Sequence, residues 1–80
     1  MVRAKEVKAL DNFFLLIRFD NDEVKMFNCS SLMQDSLFHK LRDKEFFDKV
    51  HIDDMGLVCW DESTDINPYE LYEQSESIEE

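Results

Sequence analysis

The sequence predicts an α+β domain: a small antiparallel sheet of about four to five strands, packed with one main helix and a short C-terminal helix. Three observations predict it. Apolar runs separated by short polar turns fill the first third, as in a meander of strands. Apolar residues at spacings of four follow in the middle of the chain. A helix start with every signpost in place opens near residue 67.

Val2 to Leu10 mixes Val and Ala with Lys and Glu, as a half-exposed strand does, and its alternation breaks around Glu6-Val7, where a bulge or a late start of the strand is expected. Asp11-Asn12 signals a turn. The run Phe13 to Phe19 is apolar on both faces until Arg18, which suits a central strand. Asp20-Asn21-Asp22-Glu23 turns the chain back into Val24-Lys25-Met26-Phe27. Ser31-Leu32-Met33-Gln34 has the form of a capping box, and Met33, Leu37 and Leu41, with Phe38 alongside, then share one helical face. Asp43 caps a further helical turn that carries Phe46 and Phe47. Val50-His51-Ile52 and Leu57-Val58-Cys59-Trp60 read as two short strands joined by Asp53-Asp54-Met55-Gly56, with a positive φ expected at Gly56.

The last element is a helix over Pro68 to Gln74. Asn67 serves as N-cap, Pro68 suits the first helical position, Glu70 completes a capping box, and Ile66 and Leu71 are spaced as a hydrophobic staple. The expected organisation is one domain over residues 1–74, followed by an acidic, disordered tail over 75–80 whose single large apolar residue is Ile78.

Charge narrows the function. The net charge is -10, and residues 61–80 hold eight acidic groups with no Lys or Arg. Nucleic-acid binding needs cations that displace condensed counterions, so direct contact with DNA or RNA by this chain alone is not expected. A small basic protein is the expected partner of this acidic segment, the alternative being that its charge only keeps a small protein soluble. The longest apolar run is too short for a bilayer, no signal peptide is recognisable at Met1-Val2-Arg3, and Cys29 and Cys59 stand in apolar contexts without paired spacing. A reduced, cytoplasmic protein with no membrane association follows as the expectation.

Absent chemistry narrows it further. One glycine cannot build a phosphate-cradling loop or a dinucleotide fingerprint. Neither His39 nor His51 falls in a nucleophile motif, and Cys29, Cys59, His39 and His51 lack the spacing of a zinc site. Asp20-Asn21-Asp22 starts like a calcium loop, but Lys25 stands where the turn glycine is required. Asp61 and Asp65 would need a pocket with perturbed pKa values to act as an acid–base pair. No catalytic residue, cofactor or metal is therefore expected, and the chain is not read as an enzyme.

Phe19-Asp20-Asn21-Asp22-Glu23 with Met26-Phe27-Asn28, Leu41 to Phe47, Val50-His51-Ile52-Asp53, Gly56, Trp60, and Asp65-Ile66-Asn67-Pro68-Tyr69-Glu70-Leu71-Tyr72 follow one another along the chain. Together these pieces resemble the bacterial "domain of unknown function 2442" family. Two positions depart from the pattern: Asp22 stands where a turn glycine is common, and Glu62-Ser63-Thr64 replaces a glycine-bearing turn. The resemblance implies a small antiparallel sheet against a helical segment and no established enzyme activity. It also implies two contexts for such domains: the N-terminal part of helix-turn-helix regulators, or a stand-alone member of a toxin–antitoxin-like pair. This chain ends before a helix-turn-helix could follow, so a DNA-reading role is not expected of it.

The leading expectation is a non-catalytic interaction module, the antitoxin-like half of such a pair, that contacts its partner through Trp60, Glu70, Tyr72, Glu73 and Glu76. Trp60 anchors the helix base in that picture, and the acids provide charge. The alternative is a self-associating or small-ligand-sensing domain, with a homodimer formed through the edge strand Val2 to Leu10.

Overall fold

The computed structural model describes residues 2–34 and 36–78, without the side chains of Ser31 and Leu37. Among the described residues the chain forms β1 (Ala4–Ala9), β2 (Phe14–Phe19), β3 (Val24–Asn28), α1 (Lys44–Phe47), β4 (His51–Ile52), β5 (Val58–Asp61), β6 (Thr64–Asp65), α2 (Pro68–Gln74) and β7 (Glu76–Ser77). The strands make two antiparallel sheets, one of order β1-β2-β3-β7 and a smaller one of order β4-β5-β6. The fold is α+β.

Strand periodicity places Leu15, Ile17 and Phe19 on one face of β2, where all three are fully buried. Val7 and Ala9 of β1 and Phe27 of β3 lie in register with them and line the same face. The register slips between Ala4 and Glu6, so the expected bulge lies just ahead of the Glu6-Val7 pair. At the β2–β3 turn the Asn21 side chain accepts from the Glu23 N–H at 3.0 Å, and Asp22 adopts φ 69°. Asp tolerates that left-handed conformation better than most side chains, which lets it stand where a glycine is common.

Phe13 does not begin a strand. Residues 11–13 form a 3-10 turn with φ 62° at both Asn12 and Phe13. The conformation is held by packing: the Phe13 ring meets Phe47 edge-on at 5.2 Å.

The main helix expected after Ser31 is replaced by two 3-10 stretches, Cys29–Gln34 and Ser36–Arg42. Ser30 and Ser36 stand in this region, and short polar side chains compete for backbone hydrogen bonds, which weakens an α-helix. The helix starts at Cys29, so Ser31 lies inside it rather than capping it. Cys29, Met33, Phe38 and Leu41 nevertheless reach the core. The part of the predicted face at Leu37 falls outside the described side chains. Asp43 caps α1 as expected, accepting from the Glu45 N–H at 3.1 Å, and Phe47 is fully buried.

Gly56 has φ +83°, as the β4–β5 turn requires. Trp60 is 3% exposed and its indole N–H donates to the Phe47 carbonyl at 2.8 Å, joining the small sheet to α1. Val58, Trp60, Ile66 and Leu71 close one core with the inner face of the larger sheet. At 19 Å thick, the molecule has room for two layers of secondary structure.

Ser75 is 7% exposed, and β7 then pairs Glu76 with Met26 and Ser77 with Lys25. Residues 75–78, expected as the start of a disordered tail, thus continue the sheet beside β3. The reason is backbone pairing, which side-chain polarity does not report: the Ile78 N–H donates to the Val24 carbonyl at 3.1 Å. Glu79 and Glu80 lie outside the described residues.

Candidate functional site

The helix that carries most of the expected contact residues starts as its sequence dictates. The Asn67 side chain accepts from the N–H groups of Tyr69 at 2.9 Å and Glu70 at 3.5 Å, Pro68 takes the first position, and Ile66 and Leu71 are both 2% exposed. The staple is therefore formed. The reciprocal half of the capping box is not, because Glu70 remains exposed and leaves the Asn67 N–H unbonded by its carboxylate among the described residues.

Leu71 in the core sets the phase of the helix. Tyr69, Glu70, Glu73 and Gln74 then face solvent, and Tyr69 is 66% exposed. Tyr72 turns the other way. Its ring packs edge-on against Phe19 at 5.0 Å, the Lys25 ammonium sits 3.7 Å from its centroid, and its hydroxyl donates to the Glu23 carboxylate. That bond lowers the Glu23 pKa, with help from the Asn21 amide, and raises that of Tyr72.

Of the five expected contact residues, only Glu70 and Glu73 share an open face. Trp60 lies in the core, where the apolar strand around it puts it, and it has no surface to offer a partner. Tyr72 is half-buried and committed to β2 and β3. Glu76 sits in register with Met26, on the outer face of the larger sheet and away from the α2 acids. Tyr69 is the exposed aromatic that the expected set omits. Helical phase could have found it, since a residue two positions from a buried Leu71 lies about 200° round the helix. Val2, Pro68, Tyr69, Tyr72 and Glu73 line a shallow groove of about 310 Å³ beside it.

The surroundings of the two thiols and of Asp61 set their protonation. Cys59 is 4% exposed, and its Sγ lies 3.4 Å from Nε2 of His51. In the neutral ring Nδ1 donates to the Lys49 carbonyl at 3.0 Å, leaving Nε2 to accept from the thiol. Burial pushes the Cys59 pKa up, and the carboxylates of Asp53, Asp65 and Asp61 add to the effect, so a thiolate–imidazolium pair is disfavoured. The Cys29 thiol, fully buried, is pushed up to about 12. Asp61 accepts from the Lys40 ammonium at 2.9 Å, which holds its carboxyl far below the usual carboxylate range and unsuited to general acid work. Among the described residues no three His, Cys, Asp or Glu side chains converge to hold a metal ion, and no helix is long and apolar enough to cross a membrane.

The family described as "Protein of unknown function (DUF2442)" matches residues 4–77, from the first residue of β1 to the last of β7. The chain belongs to the DUF2442 family. No curated protein matches it. The DUF2442 fold is shared by the crystal structure of the "Putative DNA Binding Protein NE0471" from Nitrosomonas europaea ATCC 19718, with a TM-score of 0.76 and 23% sequence identity over 89% of this chain. The chain spans about half of that structure, 48% of its length.

Proposed function

We propose that this DUF2442 chain is a non-catalytic protein-interaction module that docks a small basic protein through the outward face of α2. One observation carries the reading: Tyr69 stands exposed beside Glu73 and Glu70, on a helix whose other side is tied down by Leu71 and Tyr72. An exposed tyrosine on a rigid element offers contact area at little entropic cost. The flanking acids, in a segment free of Lys and Arg from residue 61 onward, favour a basic surface and speed its approach.

A partner of this kind has a phosphate-binding surface of its own for the acids to cover, which is the arrangement of an antitoxin-like member of a two-component pair. The fold neighbour's description as a DNA-binding protein does not extend to contact by this chain. A likeness at 23% identity concerns the fold, and a net charge of -10 opposes approach to a phosphate backbone.

Co-purification of the tagged protein from its native host, with mass spectrometry of what stays bound, tests the reading. A stoichiometric small basic protein is expected, and Tyr69→Ala or a Glu70→Lys/Glu73→Lys variant should release it. Retention of that protein with unchanged affinity by both variants would remove α2 as the docking face. A clean single species would remove the basic partner itself.

A further inference from the structure

The outer face of the four-stranded sheet carries a second surface, independent of α2. Opposite the core-facing Leu15, Ile17 and Phe27, the strands present Phe14, Leu16, Val24 and Met26, each half-buried. Two shallow depressions open on this face. One of about 270 Å³ lies beside Leu16 and Val24, and one of about 420 Å³ lies between Phe14, Met26 and Ile78.

The register gives this face a polarity. Lys8 stands opposite Leu16, Leu16 opposite Met26, and Met26 opposite Glu76. A single row across the sheet therefore runs from a cation, through two apolar side chains, to an anion. Lys8 and Glu76 lie three strand spacings apart, roughly 14 Å, too far to pair within one copy. Both are exposed, and neither side chain makes an ion pair among the described residues.

We propose that this face is a homodimer interface, with a two-fold axis parallel to the strands and passing between Leu16 and Met26. Half a turn about that axis lays the row over its own copy in reverse. Lys8 of each copy then meets Glu76 of the other, while Leu16 and Met26 meet Met26 and Leu16. In the adjacent row Arg18 and Glu6 are already paired at 3.0 Å, so it brings no uncompensated charge, and Val24 beside Ile78 supplies further apolar surface. A partner of uniform charge would satisfy one end of the Lys8–Glu76 row and be repelled at the other. A second copy satisfies both. The face measures roughly 300 Å² per copy, three strands about five residues long with the short β7 beside them, which suits a weak and concentration-dependent dimer. The edge of β1 is a poorer site for self-association, because β4 and the turn at Met55 lie alongside it and the Arg3 guanidinium donates to the Met55 carbonyl at 3.0 Å.

Sedimentation velocity over a concentration series up to about 1 mM tests the proposal, since weak self-association shows only near its dissociation constant. The wild-type chain should pass from monomer to dimer as its concentration rises. Lys8→Glu and Glu76→Lys should each weaken the dimer by about ten-fold or more, because each creates two like-charge contacts across the axis. The double variant K8E/E76K should return to within about three-fold of wild type, since the pair is restored with its signs exchanged. A monomer at every concentration would overturn the proposal. So would a dimer that ignores both single reversals, or one that the double variant fails to restore. None of these outcomes bears on the α2 reading, which rests on Tyr69, Glu70 and Glu73.

Discussion

The Lys25 ammonium lies 3.7 Å from the centroid of the Tyr72 ring and donates to the Tyr72 backbone carbonyl at 3.0 Å. One side chain on β3 thus holds both the ring and the main chain of α2. The consequence reaches the surface. Holding Tyr72 against the sheet fixes the rotation of the helix, which leaves Tyr69, Glu70 and Glu73 outward.

Lys25→Met keeps the aliphatic stem and removes the charge and its donors. It should cost about 1 kcal/mol, the sum expected of a partly exposed cation–π contact and a hydrogen bond. In thermal unfolding that corresponds to a fall in Tm of about 4–8 °C for a domain of this size. Amide exchange at Leu71 and Ser75, whose N–H groups donate to Asn67 and Leu71, should quicken. Unchanged Tm and exchange would show that the tether is idle.

The Tyr72–Glu23 bond gives stability a pH dependence with two edges. The Glu23 pKa is lowered below 4.5 by the Tyr72 hydroxyl and then by the Asn21 amide, so its contribution is complete above that value and is lost as pH falls through the folded one. The Tyr72 pKa is raised above 10.0, chiefly by donation to Glu23, so its contribution is complete below that value and is lost as pH rises through the folded one. Tyr72→Phe removes the bond. The stability difference between wild type and variant, measured by urea denaturation, should be level between about pH 5 and 9 and shrink on both sides. A difference independent of pH across both edges would mean that the bond contributes nothing.

Trp60→Phe takes away the donor to the Phe47 carbonyl and leaves space beside a ring that lies 6.1 Å from the indole. Destabilisation by about 2 kcal/mol is expected in chemical denaturation followed by circular dichroism. A variant as stable as wild type would indicate that the core collapses around the smaller ring.

Both thiols should resist alkylation in the native protein. Burial disfavours the reactive thiolate, and Cys29 is pushed up to about 12. Maleimide labelling near neutral pH should be more than about a hundred-fold slower in the folded chain than in urea, with Cys59 modified before the fully buried Cys29. Rapid native labelling of Cys29 would contradict its burial.

Much of the fold is legible where local chemistry is decisive. Asn67-Pro68 and the Ile66–Leu71 pair specify a helix start through contacts within a few residues, and Asp43 does the same for α1. Gly56 announces its turn because few other residues tolerate φ +83°. The middle segment is less legible. Its apolar spacing suits an α-helix, yet the chain settles into 3-10 turns that still deliver Met33, Phe38 and Leu41 to the core. The short pairings at β6 and β7 are silent in the sequence, since Thr64-Asp65 and Glu76-Ser77 join sheets through main-chain groups that any residue except proline presents in full.

By itself the sequence determined the α+β class, the turns, the capped helices, the acidic balance of the last twenty residues and the family. Those properties live in single residues or in short windows, where propensity and charge act locally. Only the tertiary structure decided which aromatics remain available and where the acids stand relative to one another. Trp60 and Tyr72 went to the core and against β2 and β3, Tyr69 went to solvent, and Glu76 parted from Glu70 and Glu73. Nor could the chain alone show that Lys8, Leu16, Met26 and Glu76 form one row. Exposure and cross-strand register arise from the packing of segments distant in sequence, and no window of neighbouring residues contains that information.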